Sequence, residues 1–228
     1  MSLILAIDTS AGTSVALVEN GVVRAEHNVA DTMKHAELIG QAIADVLSQA
    51  FVHPAQIMAV VAGRGPAPFT GLRVGIAAAT MFATGSGIKL YGGVSLDAIA
   101  LAALPKLSVT KSEPLLVTTD ARRKEVYWAL YSGVDEHGVP IRIDGPGVMK
   151  PAELDEYLVN RNVHPTTTTE PVTAANLGLL LEAQLRAGSA TDDVSALYLR
   201  AADAVLHRRV VLVPHVVGLV RVQRDFAV

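Results

Sequence analysis

The sequence predicts an α/β protein: a mixed sheet flanked by helices, arranged in two subdomains. Three observations lead there. Short apolar runs rich in β-branched residues, such as Leu3 to Asp8 and Ile57 to Ala62, read as buried strands. Asn20-Gly21 between two such runs is a hairpin signal. Beyond the hairpin, strand-like and helix-like segments alternate, giving the order β-β-β-α-β-α-β-α over residues 1–105, with a smaller second subdomain expected over 106–228.

In chain order, Leu3 to Asp8, Thr13 to Glu19 and Val22 to Val29 form an antiparallel meander. A helix follows over His35 to Ala50, with Asp31 or Thr32 near its start and Leu38, Ile39, Ala42, Ile43, Val46, Leu47 and Ala50 as its apolar stripe. After the strand Ile57 to Ala62 comes a helix over Thr70 to Gly87, for which Thr70 is the natural N-cap. A short strand over Lys89 to Tyr91 leads to a helix that Ser95 would cap and Pro105 would close. In the second half, Leu115 to Asp120 and Glu125 to Ser132 read as strands joined by the basic turn Ala121-Arg122-Arg123-Lys124. Val139 to Ile143 reads as a further strand, and Asp144-Gly145-Pro146-Gly147 after it as an ordinary turn. Pro151 opens a short helix, Pro165 to Glu170 reads as a surface loop, and Thr173 to Ala187 is a helix ended by Gly188. From about residue 205 the chain becomes Val-rich and basic.

The stretch Gly63 to Gly75 (GRGPAPFTGLRVG) is a strand–loop–helix elbow, and it supports three readings. One is a turn required by the fold. Another is an anion site on the backbone N–H groups of Gly71, Leu72 and Arg73 at the helix start; no Gly-Lys-Ser/Thr follows, so it is not a Walker loop. The last concerns the helix face carrying Gly71, Gly75, Ala78, Ala79 and Phe82, whose small residues would let another helix approach closely.

Composition narrows the classes. The chain has 228 residues, half of them hydrophobic, and no cysteine, which excludes disulfides, thiolate metal sites and cysteine nucleophiles. Mean hydropathy is +0.37, yet no apolar run approaches the length of a bilayer span. The opening residues Met-Ser-Leu-Ile-Leu run into a strand with no basic leader, so a cytoplasmic, non-membrane location is expected. A net charge of −3 argues against a chain that holds nucleic acid alone by its overall field. The seven histidines form no metal-ligand pattern, and no Ser or Thr can be linked to a His and an acid as a triad. His35 reads as a solvated or capping residue. The Arg122-Arg123-Lys124 turn has an RNA-phosphate reading and a commoner one, solvated or paired with Glu125 or Asp120.

An Asp ending the first strand, followed by a Thr/Ser hairpin, resembles the opening of the actin/Hsp70/sugar-kinase-like folds. By that resemblance Asp8, Thr9, Ser10 and Thr13 occupy the phosphate turn, with Gly65 and Arg73 as further nucleotide or phosphate contacts. The resemblance then sharpens. Ile4-Leu5-Ala6-Ile7-Asp8-Thr9-Ser10, Lys34-His35-Ala36-Glu37, Gly65 to Gly75, Asp120-Ala121-Arg122-Arg123-Lys124-Glu125-Val126-Tyr127 and Tyr198-Leu199-Arg200 together resemble the TsaB (YeaZ) family, in order and at family spacing. Ala67 and Lys124 depart from the pattern, standing where that family usually or often carries Gly.

The resemblance implies a non-catalytic subunit of the machinery that makes N6-threonylcarbamoyladenosine in tRNA. It implies pairing with a TsaD-like catalytic subunit through the helices His35–Ala50 and Thr70–Gly87. The expected interface residues are Leu38, Gln41, Ala42, Asp45, Gly71, Gly75, Ala78, Ala79 and Phe82. A TsaE-like ATPase then joins, tRNA is met through the complex, and the chain alone forms a homodimer. No firmly bound cofactor or metal is expected in this chain, and any ATP or ADP belongs at the interface of the complex. The alternatives are an active ATPase or kinase of the same fold working through Asp8, a metal-dependent glycoprotease-like endopeptidase, and direct tRNA binding as the main role.

Overall fold

The computed structural model describes residues 2–30, 34–67 and 69–200. Two sheets carry the chain. In the first, β1 (Leu3–Asp8) pairs antiparallel with β2 (Thr13–Glu19) from Leu3 opposite Glu19 to Asp8 opposite Ser14. β2 pairs with β3 (Val22–Val29) across the Asn20-Gly21 hairpin, where both residues have positive φ, as a two-residue primed turn requires. On the far side of β1, β4 (Ala59–Gly63) and β5 (Lys89–Gly93) run parallel, so the order is β3-β2-β1-β4-β5.

Alternation along β1 sorts its side chains to two faces. Leu5 and Ile7 join Val15, Leu17, Val60 and Ala62 in a core covered by α1 (His35–Gln49) and α2 (Phe69–Ser86). Ile4 and Ala6 face the other way, under α3 (Ser95–Ala103) and α5 (Ala174–Ala187), where Leu177, Leu180 and Leu181 are fully buried. Burying each such leucine contributes roughly 1.5–3 kcal/mol.

The second sheet has the order β8-β7-β6-β9, with β6 at Leu115–Asp120, β7 at Val126–Val134, β8 at Pro140–Met149 and β9 at Thr166–Thr167. Here too the alternation expected of β7 places residues on both sides. Tyr127, Ala129 and Tyr131 pack under α3 with Leu96 and Ile99, while Trp128 and Leu130 pack under α4 (Pro151–Asn160) with Leu154 and Leu158. Helix α3 thus lies between the two sheets and is shared by their cores.

The expected mixed α/β architecture, sheets flanked by helices, is present, with several local differences from expectation. Helix α5 lies past residue 105 yet packs on β1 and β2, so a division at that residue separates the sheets but not the helices. Thr70 lies inside α2 rather than capping it. Val94, not Ser95, is the N-cap of α3. β8 continues through Asp144-Gly145-Pro146-Gly147, with irregular register against β7, because strand pairing resumes on the far side of those residues. The loop from Pro165 to Glu170 contains β9. Thr173 does cap α5 and Gly188 ends it in the left-handed region. The expected Asp31 or Thr32 at the start of α1 and the Val-rich stretch from residue 205 lie outside the described residues.

The β6–β7 connection is unusual. Arg122, Arg123 and Lys124 have φ of 64°, 54° and 61° in succession. For non-glycine residues this left-handed backbone costs about 1–2 kcal/mol each.

Candidate functional site

The end of β1, the β1–β2 turn, the elbow after β4 and the starts of α1, α2 and α3 converge on one buried polar cluster. Asp8 is its centre and is 1% exposed. Its Oδ1 accepts hydrogen bonds from the Ser10 backbone N–H at 2.7 Å and the Ser10 hydroxyl at 2.5 Å; its Oδ2 accepts one from the Ser95 hydroxyl at 2.7 Å. Burial pushes the Asp8 carboxyl above its ordinary pKa, against the lowering effect of those donors. Gly63 ends β4 against the same carboxylate: a Cβ there would lie 2.1 Å from Oδ2. Ser95, read from sequence as a cap, therefore serves Asp8.

Thr9 ties the turn to α2. Its hydroxyl donates to the Gly71 carbonyl at 2.8 Å and accepts the Gly75 N–H at 3.2 Å. Thr13 meets the ring of His35, Oγ1 to Nδ1, at 2.9 Å. His35 is buried, which corrects the reading of it as solvated or capping: it closes the space between β2 and α2. Gly65, at a φ of 87°, presents its carbonyl to the Ser95 N–H at 2.8 Å.

These contacts revise the expected docking face. A Cβ on Gly75 would sit 2.3 Å from Thr9 Oγ1, and one on Gly71 would sit 2.8 Å from His35 Nε2. Ala42 and Ala79 are wholly buried in the first core, with Ala78 and Phe82 packed against it. On this flank of α2, Gly75 and Ala79 are buried against their own chain, while Gly71, Ala78 and Phe82 are half-buried. Leu38 is half-buried; Gln41 is exposed and donates to Asp45 Oδ1 at 2.7 Å, while Asp45 also pairs with His27 at 3.1 Å.

The outer side of the helix pair is different. Ala36, Gly40, Ala44 and Ser48 follow one another at i, i+4 along α1, all exposed, and a Cβ on Gly40 would meet none of the described residues within 4 Å. On α2, Ala77 is exposed and Met81 is 74% exposed. Reading the four-residue period of small residues in α1 would have found this row; the apolar stripe drew attention to its inner side instead.

Arg73, expected at the phosphate turn, instead donates from Nε to the Tyr198 hydroxyl at 2.9 Å, with its guanidinium 5.7 Å from that ring. Tyr198 belongs to an irregular strap that crosses the elbow. Arg64 donates to the Ser195 carbonyl at 2.9 Å and pairs with Asp193 at 2.6 Å, and its carbonyl accepts the Leu197 N–H at 2.8 Å. Arg200 ends the strap by donating to the Ala121 carbonyl at 3.2 Å and pairing with Glu125. The sequence offered no local signal for these contacts, because their partners lie far apart in the chain.

A cavity of about 220 Å³ opens beside the turn, between Asp8, Gly12, Thr13, Asn28 and Val29 on one side and Pro171 to Thr173 on the other. Both Asp8 carboxylate oxygens are engaged, by Ser10 and by Ser95, so in this structure the carboxylate serves its own turn. The cluster fits a structural hub that fixes the starts of the helices. Among the described residues, no three His, Cys, Asp or Glu side chains form a set able to hold a metal ion. No helix among them is long and apolar enough to cross a membrane.

The family model described as "TsaD: tRNA N6-adenosine threonylcarbamoyltransferase" matches residues 28–177. An uncharacterized protein of Mycobacterium leprae is 38% identical over 164 residues, covering 68% of this chain and 41% of that protein. The Escherichia coli tRNA threonylcarbamoyladenosine biosynthesis protein TsaB is 36% identical over 156 residues, covering 68% of this chain and 65% of TsaB. The match thus spans less than two thirds of the length of either relative. A crystal structure from Pseudomonas aeruginosa, of an uncharacterized protein with similarity to peptidase YeaZ, superposes with a TM-score of 0.71. It is 25% identical and covers 88% of this chain and all of its own.

Proposed function

Because this chain belongs to the TsaB (YeaZ) family, we propose that it serves tRNA threonylcarbamoyladenosine synthesis in the cytoplasm as a subunit that does no chemistry itself. It docks onto a TsaD-like catalytic subunit through the outer faces of α1 and α2, and that subunit carries the threonylcarbamoyl transfer. A TsaE-like ATPase joins the pair, tRNA is met through the assembly, and the same outer face pairs two copies when the partner is absent.

The observation that carries the docking reading is Gly40. A glycine in a helix interior costs roughly 0.5–1 kcal/mol relative to alanine, and here the described residues give no reason for it, since none of them lies within 4 Å of the place a Cβ would take. Close approach by a foreign backbone is the physical reason that remains. Its neighbours Ala36, Ala44 and Ala77 keep the relief low, and Met81 supplies an adaptable apolar side chain beside them. The absence of catalysis is supported by the engagement of Asp8 within the hub, and any ATP or ADP is assigned to the interface of the complex.

Reconstitution tests this. The wild-type chain, co-expressed with its cognate TsaD-like subunit, should co-elute with it and support tRNA modification, whereas Met81→Glu combined with Ala77→Glu should elute as a folded, separate protein. Co-elution of that double variant at wild-type yield would contradict the assignment of the face. Modification of tRNA, or steady ATP turnover, by the chain alone would contradict the non-catalytic role.

A further inference from the structure

We propose that the turn Arg122-Arg123-Lys124 contacts the phosphate backbone of the RNA on which the assembly acts. The inference rests on the reading of the chain as a member of a tRNA-modifying complex, and it names the part of this subunit that meets the substrate.

The backbone comes first. All three residues are exposed, and all have left-handed φ, of 64°, 54° and 61°. Glycine would adopt that conformation without strain, so the chain gives up stability to hold three cations there, and such outliers are where a function is to be sought.

The turn is also braced. The Ala121 N–H donates to the Glu125 carbonyl at 3.0 Å, the Glu125 N–H to the Arg122 carbonyl at 3.0 Å, and the Arg122 N–H to Asp120 Oδ1 at 2.9 Å. Arg200 holds the base through the Ala121 carbonyl and the Glu125 carboxylate. The bracing fixes the backbone positions from which the three cationic side chains extend.

Charge completes the case. Glu125 is engaged by Arg200, and the Arg122–Asp120 pair is 3.6 Å apart with both side chains more than half exposed, so a phosphate can readily compete for it. Lys124 has no partner among the described residues. The turn is therefore a local positive point on a chain whose net charge is −3, suited to contact within an assembly rather than to capture by a long-range field. Arginine anchors protein and nucleic-acid partners alike, and what would favour a protein is an apolar or aromatic anchor beside it. The exposed stretch from Arg122 to Lys124 has none, and Ala121 beneath it is buried; phosphate contacts need only the cations.

The test uses the complete assembly with its tRNA substrate. If the wild-type complex neither forms nor modifies tRNA, the underlying reading fails whatever the turn does. Given a working complex, Lys124→Gly should raise the thermal stability of the chain. It should also raise the KM for tRNA about threefold with kcat unchanged, and lower the slope of log affinity against log salt by about 0.9, as one lost duplex phosphate contact would. Arg122→Gly with Lys124→Gly should extend both binding changes, and Lys124→Arg should keep wild-type KM and slope. Unchanged KM and slope in the glycine variants would overturn the proposal. So would a fall in stability, which removes the strain argument, or weakened assembly at unaltered tRNA affinity, which would make the turn a protein contact.

Discussion

The inner and outer faces of the α1–α2 pair use the same kind of residue for opposite reasons. Inside, Gly75 is required by its own chain, because Thr9 stands where its side chain would be, and Gly71 is held against His35 in the same way. Outside, Gly40 is small although none of the described residues presses on it. A small residue on a helix therefore says only that something comes close. What comes close, the molecule's own turn or another molecule, is decided by the element opposite, and that is a property of the fold.

The comparison can be broken or sharpened by substitutions on either side. The largest effect is expected from Gly75→Leu, which drives a side chain into the β1–β2 turn. Overpacking of this severity should cost about 3 kcal/mol, the upper end of the usual range, and lower the urea midpoint sharply; a midpoint near wild type would show that the inner face is loose. Next, Ser95→Ala deletes the donor to Asp8 Oδ2. Leaving a buried polar oxygen without its partner costs about 1–3 kcal/mol, so chemical denaturation should show a loss of that order with assembly unaffected.

A smaller, pH-dependent effect is expected at Asp8. Its folded pKa is raised by burial, so the unfolded chain ionises first. Stability is fully present below the ordinary Asp value of about 3.9 and is lost as pH rises toward and through the folded pKa, by about 1.4 kcal/mol per unit of displacement. Asp8→Asn keeps groups able to bond Ser10 and Ser95 but does not titrate. Its stability relative to wild type should therefore climb as pH is raised from 4, and parallel unfolding curves of the two proteins across that range would contradict the hub. The smallest change in fold stability belongs to Gly40→Leu, which should be neutral or stabilising by about 0.5–1 kcal/mol through helix propensity alone.

Much of the fold could be read from local pattern. The bounds of β1, β2 and β3 follow from apolar runs and the Asn20-Gly21 turn, and α5 follows from its cap, its leucines and Gly188. The two-faced burial of β7 was legible in its alternation. What escaped was set by distant partners. Ser95 looks like a helix cap because nothing local shows Asp8 waiting 87 residues away. His35 looks solvated because Thr13 and Gly71 come from other elements. The strap through Arg64, Asp193 and Ser195 has no periodicity at all. At the site, Asp8, Thr9 and Thr13 are buried about one turn with Ser10 bonded to Asp8, whereas Arg73 turns to Tyr198.

The most direct measurement of the central claim is a binding titration of the cognate TsaD-like subunit against the wild-type chain and Gly40→Leu, with the thermal unfolding of each chain recorded in parallel. The variant should unfold at or above the wild-type temperature and bind at least about tenfold more weakly, a difference of about 1.4 kcal/mol. Equal affinity, with the variant folded, would mean that the outer face of α1 and α2 is not where the catalytic subunit docks.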